Sequence, residues 1–455
     1  MVRQRVDQRA LKRLIDRESE TFKKRTPGSV ALLERARRVM PLGVPSSFQH
    51  MPPYPLYIGK ASGPRIWDVD GNEYCDYHLG FGTLAIGHAH PLMVEALSDQ
   101  LRKGTMYALP GEEPVILAEE ICRRFGMDMV RFCNSGTEAT MDAIRVARGV
   151  TGRDVIVKIE GSYHGHHDAV MVSVKPPADA IGPEDHPNSV IFSKGVPAVN
   201  AQLTLVVPFN QPDILERLLS EREGDIAAVI LEPIMMNVGI VYPAPGYLAE
   251  LRRITRQHDV ALIFDEVKTG ATIAAGGACE HYGVKPDLIC LAKSIGGGIP
   301  IGAFAGSRAF MEKIRPEDVA HLGTFNGNPL AMRAGIVALT QILTPEAYKR
   351  FGVLEEKLVS GCRDVIDRHE LPMYSTGIGG KGCVMFAPEE LHDYRDYLKI
   401  DFDLSYAHWL YYMNRDILMP IGADEQWTLS VQHTEQDVEE HLAVFEEFAR
   451  DVMAA

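Results

Sequence analysis

No apolar run in this chain approaches the roughly 20 residues needed to cross a bilayer. Cysteine is sparse and odd in number, with seven residues and no CxxC spacing, so neither a disulfide framework nor a thiolate metal site is expected. A reduced, cytoplasmic compartment fits that usage. Basic residues are outnumbered 47 to 61, and the formal charge of -14 speaks against nucleic acid or an anionic membrane as a partner. The charged, helix-prone stretch Met1–Lys24 has no apolar signal core, and Asp7, Asp16, Glu18 and Glu20 argue against a transit peptide. Internal repeats and low-complexity tracts are also missing. What remains is an ordinary globular composition, 46% hydrophobic and 24% charged, in 455 residues, enough for one or two full cores.

Helical apolar spacing runs from Thr26 to Met40 and stops at the breaker cluster Pro41–Pro45. Short strand-like pieces follow at Leu56–Ile58, Arg65–Val69 and Glu73–Tyr77, the last two joined by an Asp70-Gly71 hairpin turn. From about Pro91 to Gly335, apolar strands alternate with helical patterns. The strands are Met129–Cys133, Val155–Lys158, Leu203–Val207, Ala227–Leu231, Ala261–Asp265, Leu288–Leu291 and Gly302–Gly306. Continuous apolar strands between helices predict an α/β fold, a mostly parallel seven-stranded sheet covered on both faces. Ligands of such sheets sit at the carboxyl ends of the strands. Residues 174–200 lack a period and are rich in Pro, Gly, Asp and Ser, as expected of a flap. The expected division is an N-terminal segment, 1–80, that joins a smaller α+β domain, 336–455, beside a large domain, 81–335.

Two strand ends carry unusual chemistry. Ala261-Leu-Ile-Phe-Asp265 ends on an acid, and Leu288-Ile-Cys-Leu-Ala-Lys293 ends on a lysine followed by Gly296, Gly297 and Gly298. A lysine in an apolar, glycine-lined setting is a candidate nucleophile, and the glycines let backbone approach a bulky ligand. A lysine that forms a Schiff base and an acid that partners a pyridine nitrogen are the equipment of pyridoxal 5'-phosphate (PLP) chemistry. As a bland alternative, Asp265 is a helix cap and Lys293 a polar residue beside a turn. Cys133-Asn-Ser-Gly-Thr-Glu-Ala139 leaves a strand and opens a helix, so Ser135, Gly136 and Thr137 form a candidate phosphate cradle. Alone, Ser-Gly-Thr is only a common helix cap. The histidines of Tyr163-His-Gly-His-His167 suit neither a helix face nor a closed zinc site. Tyr163 and His164 are instead candidates for the cofactor, with Tyr163 stacking on the ring opposite Val267. Glu232 and Asn237, past another apolar strand, are placed near the ring's phenolic oxygen. Lys268 points away from Asp265 along the extended chain and is expected to form a salt bridge.

These stretches, with Trp67–Asn72, Gly87–Pro91, Gly327–Leu330 and His433-Thr434, resemble the class III (fold type I) PLP-dependent aminotransferases. Within them the chain is similar to the glutamate-1-semialdehyde 2,1-aminomutase branch, from about Thr26 to the C-terminus. The resemblance implies a homodimer with shared active sites, Gly323 and Thr324 reaching the neighbour's phosphate, residues 174–200 as a mobile gating loop, and Glu425 lining the substrate pocket. The chain departs from the pattern in Val44-Pro-Ser-Ser-Phe-Gln49, where Ser46 and Gln49 are pocket candidates and Gln49 replaces an arginine for a substrate carboxylate. Phe81 replaces a tryptophan, and Ala271-Thr272 a Phe-Arg pair. Neutral Gln lacks the charged, bidentate fork of a guanidinium.

The departures favour a ping-pong aminotransferase over the aminomutase. A donor amine or amino acid, a β-amino acid or bulky apolar amine among the options, displaces Lys293. The freed Lys293 then moves a proton between substrate carbon and cofactor, and a keto acid accepts the amino group. The aminomutase is the alternative. A PLP epimerase or decarboxylase, or a non-catalytic binding protein on the same fold, ranks below both.

Overall fold

The computed structural model describes residues 6–454, so the first five residues of the charged N-terminal stretch lie outside the described residues. The chain divides into two compact units. The larger comprises Pro91–Lys349 with Leu391–Lys399; the smaller comprises the chain up to His90, Arg350–Glu390 and the chain from Ile400 onward. Both divisions fall later than the sequence reading places them, and the short stretch 391–399 returns to the larger unit.

The larger unit is built on seven strands: β1 (Met129–Cys133), β2 (Val155–Ile159), β3 (Thr204–Val207), β4 (Ile226–Leu231), β5 (Ala261–Asp265), β6 (Leu288–Ala292) and β7 (Gly302–Gly306). Their order in the sheet is β1-β7-β6-β5-β4-β2-β3. β7 runs antiparallel to both β1 and β6, and the other pairs are parallel. Every residue of β2, β4, β5, β6 and β7 is buried, which is why these strands read as unbroken apolar runs. Helix Gly136–Thr151 covers one face with a small-residue stripe, Ala139, Ala143 and Ala147, plus Ile144 and Val146. These meet Ile156, Ile230, Ile263, Cys290 and Phe304 in one core. Each large aliphatic or aromatic side chain so buried contributes about 1.5–3 kcal/mol.

Register decides what meets at the sheet edge. Gly302 pairs with Cys133 on one side and Ala292 on the other, and Asp265 pairs with Cys290. The carboxyl ends of β1, β5 and β6 therefore share one edge, and the residues that follow them leave the sheet together.

The smaller unit holds the expected hairpin, Arg65–Asp68 against Glu73–Asp76, with Gly71 at φ 89° in the turn. Asp70 of that turn caps helix Pro27–Ala36 by accepting from the Gly28 and Ser29 amides at 2.6 and 3.2 Å. The helix starts one residue later than expected because Thr26 lies outside it as its N-cap. The strand expected at Leu56–Ile58 instead runs from Ile58 to Ser62, because the Tyr57 amide is taken by Ser29 Oγ at 3.1 Å. A second sheet joins Tyr374–Ile378, Lys381–Met385 and Trp427–Thr428, beside helices Gln8–Arg25, Phe402–Met413 and Glu435–Ala454. Among the described residues, no helix is long and apolar enough to cross a membrane.

Candidate active site

Asp265 ends β5, 5% exposed, because the apolar strand before it is buried throughout. Its Oδ1 accepts from the Val267 amide at 3.0 Å, and its Oδ2 lies 2.8 Å from His164 Nδ1. Lys293 follows β6 directly, half-buried, at φ 52° in a tight turn that leads into the glycines.

On the neighbouring side, β1 runs into helix Gly136–Thr151. Ser135 caps it, accepting from the Glu138 amide at 3.2 Å, and the Glu138 carboxylate accepts from the amide of Asn134, one residue before the cap, at 2.6 Å. The Gly136 and Thr137 amides sit in the first turn, where no intrahelical acceptor exists, and the helix dipole favours an anion there. A methyl group on Gly136 would lie 3.0–3.1 Å from both Val267 methyls, and one on Gly302 would lie 2.2 Å from the Ser135 carbonyl oxygen. Thr137 Oγ1 lies 3.0 Å from His166 Nδ1.

The segment after β2 carries Tyr163 and His164. His164 is 1% exposed, and its Nε2 lies 3.0 Å from Ser162 Oγ. Glu232 is buried, with one carboxylate oxygen 3.2 Å from the Tyr163 amide and the other 2.8 Å from the Met236 amide. Both its oxygens thus bind backbone donors of the turns that carry Tyr163 and buried Asn237. Lys268, expected in a salt bridge, donates to the Met236 carbonyl at 2.5 Å.

Residues 174–200 form the expected irregular loop, and it is tied down. Ser173 and Val190 bond through their backbones at 2.6 Å, Tyr394 Oη donates to the Pro176 carbonyl at 2.5 Å, and Arg395 reaches the Gly182 carbonyl at 3.1 Å and Glu160 at 2.8 Å. Gly323 and Thr324 lie in a loop whose Asn326 accepts from Asn134 at 3.0 Å, and its Leu322 and Phe325 are 89% and 61% exposed.

Ser46, Gln49, Phe81 and Glu425 all belong to the smaller unit. Ser46 precedes the short turn Ser47–Gln49, its carbonyl accepting from the Gln49 amide at 2.9 Å, and Gln49 is exposed. Phe81, at φ 57°, has its ring centroid 4.2 Å from His78 and 5.8 Å from Phe48. Glu425 is half-buried.

The sequence reading missed three buried polar residues around this edge: Lys158, Ser162 and Glu266. Glu266 accepts from the Ala278 and Cys279 amides at 2.9 Å, and burial pushes its pKa up against those bonds. The one available signal was Lys158, a lysine inside the apolar run Val155–Ile159.

An acid at one strand end, a lysine at the next and a bare helix N-terminus beside them make a donor set for a phosphorylated pyridine aldehyde. The close approach at Gly136 leaves the cradle without a side chain of its own. Among the described residues no group of three or more His, Cys, Asp or Glu is arranged to hold a metal ion.

The whole chain is also similar to known proteins. The sequence profile described as "Aminotransferase class-III" matches residues 47–394. The chain is 42% identical to a glutamate-1-semialdehyde 2,1-aminomutase of Methanothermobacter thermautotrophicus, over 92% of this chain and 98% of the relative. It is 38% identical to the enzyme of that name from Methanosarcina acetivorans, over 91% and 97%. Among solved structures, an omega-transaminase from Sphaerobacter thermophilus superposes with TM-score 0.88 at 34% identity, covering 93% of this chain and 97% of that one. A glutamate-1-semialdehyde aminomutase from Pseudomonas aeruginosa gives 0.89 at 30%, covering 98% and 99%. The chain belongs to the class III aminotransferases, fold type I enzymes that depend on pyridoxal 5'-phosphate.

Proposed function

We propose that this enzyme is of the glutamate-1-semialdehyde 2,1-aminomutase type, moving an amino group between adjacent carbons of one substrate. The observation that carries its chemistry is the meeting of Lys293, Asp265 and the open helix N-terminus at one sheet edge. The aminomutase relatives, at 38% and 42% identity over nearly their whole length, favour this reading over the intermolecular aminotransferase that the sequence departures favour.

PLP supplies an aldehyde and an electron-withdrawing ring. The chain supplies the rest. Asp265 holds a proton on the ring nitrogen, so the ring can withdraw charge from a substrate carbon. The Lys293 amine takes the proton from that carbon and returns it at another. Ser135, Gly136 and Thr137 bind the phosphate, and Val267 and Tyr163 confine the ring. Glu232 and Asn237 shape the wall on the phenolic side. The exposed Leu322 and Phe325, flanking Gly323 and Thr324, support a homodimer in which that loop meets a second copy.

Gln49 supports the second reading, transfer from an amine or amino acid to a keto acid, because it replaces the charge that would hold a substrate carboxylate. One experiment separates the two. The PLP-loaded protein is given glutamate 1-semialdehyde with no keto acid, then arylalkyl amines and α- and β-amino acids with pyruvate or 2-oxoglutarate. Isomerisation without acceptor supports the aminomutase. No isomerisation, with acceptor-dependent turnover of any amine, overturns it for the aminotransferase.

A further inference from the structure

Lys158 lies at 0% exposure in the middle of β2, where every neighbour along the strand is apolar. Placing an ammonium there is costly unless its donors are satisfied. They are: Nζ donates to the Ser162 carbonyl at 2.8 Å and the Val172 carbonyl at 2.6 Å, with the Ser173 carbonyl at 3.5 Å. These carbonyls come from two separate segments, the turn that carries Tyr163 and His164 and the base of loop 174–200. Burial pulls the Lys158 pKa down to about 7, with Glu232 pulling the other way.

The contacts continue beyond the lysine. Ser162 Oγ lies 2.6 Å from the Ile159 carbonyl and 3.0 Å from His164 Nε2, so the hydroxyl joins the strand end to the imidazole. On the other side of the ring, His164 Nδ1 faces the Asp265 carboxylate at 2.8 Å. The imidazole thus bridges the Ser162 hydroxyl and the Asp265 carboxylate and orients that buried acid. A polar column thus runs Lys158, Ser162, His164, Asp265 through an otherwise apolar layer, and all four members are buried.

We infer that Lys158 is a positioning residue for the cofactor site: its ammonium clamps the turn that presents Tyr163 and His164, and through Ser162 and His164 it fixes Asp265. An apolar residue of similar length would fill the same volume without drawing the carbonyls together. The inference rests on the assignment of Asp265 to the cofactor ring.

The test compares K158M, S162A and D265A with the wild-type holoenzyme. The readouts are PLP dissociation followed by protein fluorescence, and the pH titration of the visible band of bound PLP. Melting of the PLP-stripped proteins reports the purely structural effect. In K158M, PLP binding is expected to weaken by about tenfold or more, as for a lost charge-assisted hydrogen bond. The band midpoint is expected to move by about half a pH unit or more. S162A is expected to shift the band in the same direction by less. The inference is overturned if K158M and S162A bind PLP within about twofold of wild type with an unmoved band, whatever their melting temperatures. If K158M does not fold, S162A decides by itself, and an unmoved band there overturns the inference. D265A separates the two assignments. An unmoved band in D265A removes the acid-to-ring reading, whereas a band moved in D265A alone overturns only the role of Lys158.

Discussion

Lys293 holds a backbone conformation, φ 52°, that a residue with a Cβ adopts at a cost of about 1 kcal/mol or more. Non-glycine residues keep such a conformation where the surroundings enforce it, and here a fully buried strand and three glycines lie on either side. Lys293→Ala should keep the fold, bind PLP without the borohydride-reducible linkage, and lose about 100-fold or more in turnover. A borohydride-stable label on another lysine would place the covalent link elsewhere. Gln49 is the residue to change for substrate. If a carboxylate faces it, Gln49→Arg should lower KM for glutamate 1-semialdehyde by about tenfold with little change in kcat, the signature of added ground-state binding. A raised or unchanged KM would separate Gln49 from the carboxylate. At this scale the sequence was legible where a polar residue ends an apolar run, as at Asp265, Lys293 and Ser135. It was illegible where the polar residue lies inside the run. Lys158 interrupts β2 by one letter, and only the convergence of three carbonyls on its ammonium says why it is there.

Strands β1 to β7 were readable as elements because both faces of the sheet are covered, so each strand is apolar at nearly every position. Their juxtaposition was not, because it depends on β7 lying between β1 and β6 and on Gly302 pairing with Cys133 and Ala292. That register brings the Ser135 carbonyl against Gly302. A methyl group there would lie 2.2 Å from a backbone oxygen that cannot swing aside. Gly302→Ala should therefore displace the start of helix Gly136–Thr151, cost about 1–3 kcal/mol by urea unfolding, and weaken PLP binding more than it lowers stability elsewhere. Normal PLP affinity in a destabilised Gly302→Ala protein would uncouple this turn from the phosphate. Loop 174–200 shows the other limit of sequence reading. Its lack of pattern marked it as irregular, but its anchors lie far away in the chain. Tyr394 and Arg395 hold it through one hydroxyl and one guanidinium, and neither residue belongs to a periodic pattern.

Across the whole molecule, stability should respond to acid more steeply than its carboxylates alone dictate. The smaller unit buries three histidines, His408, His433 and His441, in contact with Tyr77, Tyr412 and Phe445. Burial lowers the pKa of His408 to about 3 and of His433 to about 4, and it holds that of His441 well below the usual histidine value, with the like charges of His408 and His433 adding to the effect. The unfolded chain takes up these protons near pH 6.5 and the folded chain does not. The unfolded state therefore binds more protons between about pH 6.5 and 4. Stability is fully present above that window and falls as the pH drops through it. At pH 5 each such histidine costs about 2 kcal/mol relative to neutral pH. Asp76 and Asp437 act in a lower window. Burial raises their pKa values, but hydrogen bonds from His88 to Asp76 and from the Thr434 amide and Arg65 to Asp437 outweigh it, so their contribution is lost only below about pH 4. Urea unfolding of the smaller unit should thus shift between pH 7.5 and pH 5, before the carboxylates titrate. Neither ring nitrogen of His441 has a protein hydrogen-bond partner, so His441→Phe should flatten this dependence and raise stability at pH 5 by about 1–3 kcal/mol. An unaltered pH slope in His441→Phe would move the acid sensitivity to other groups.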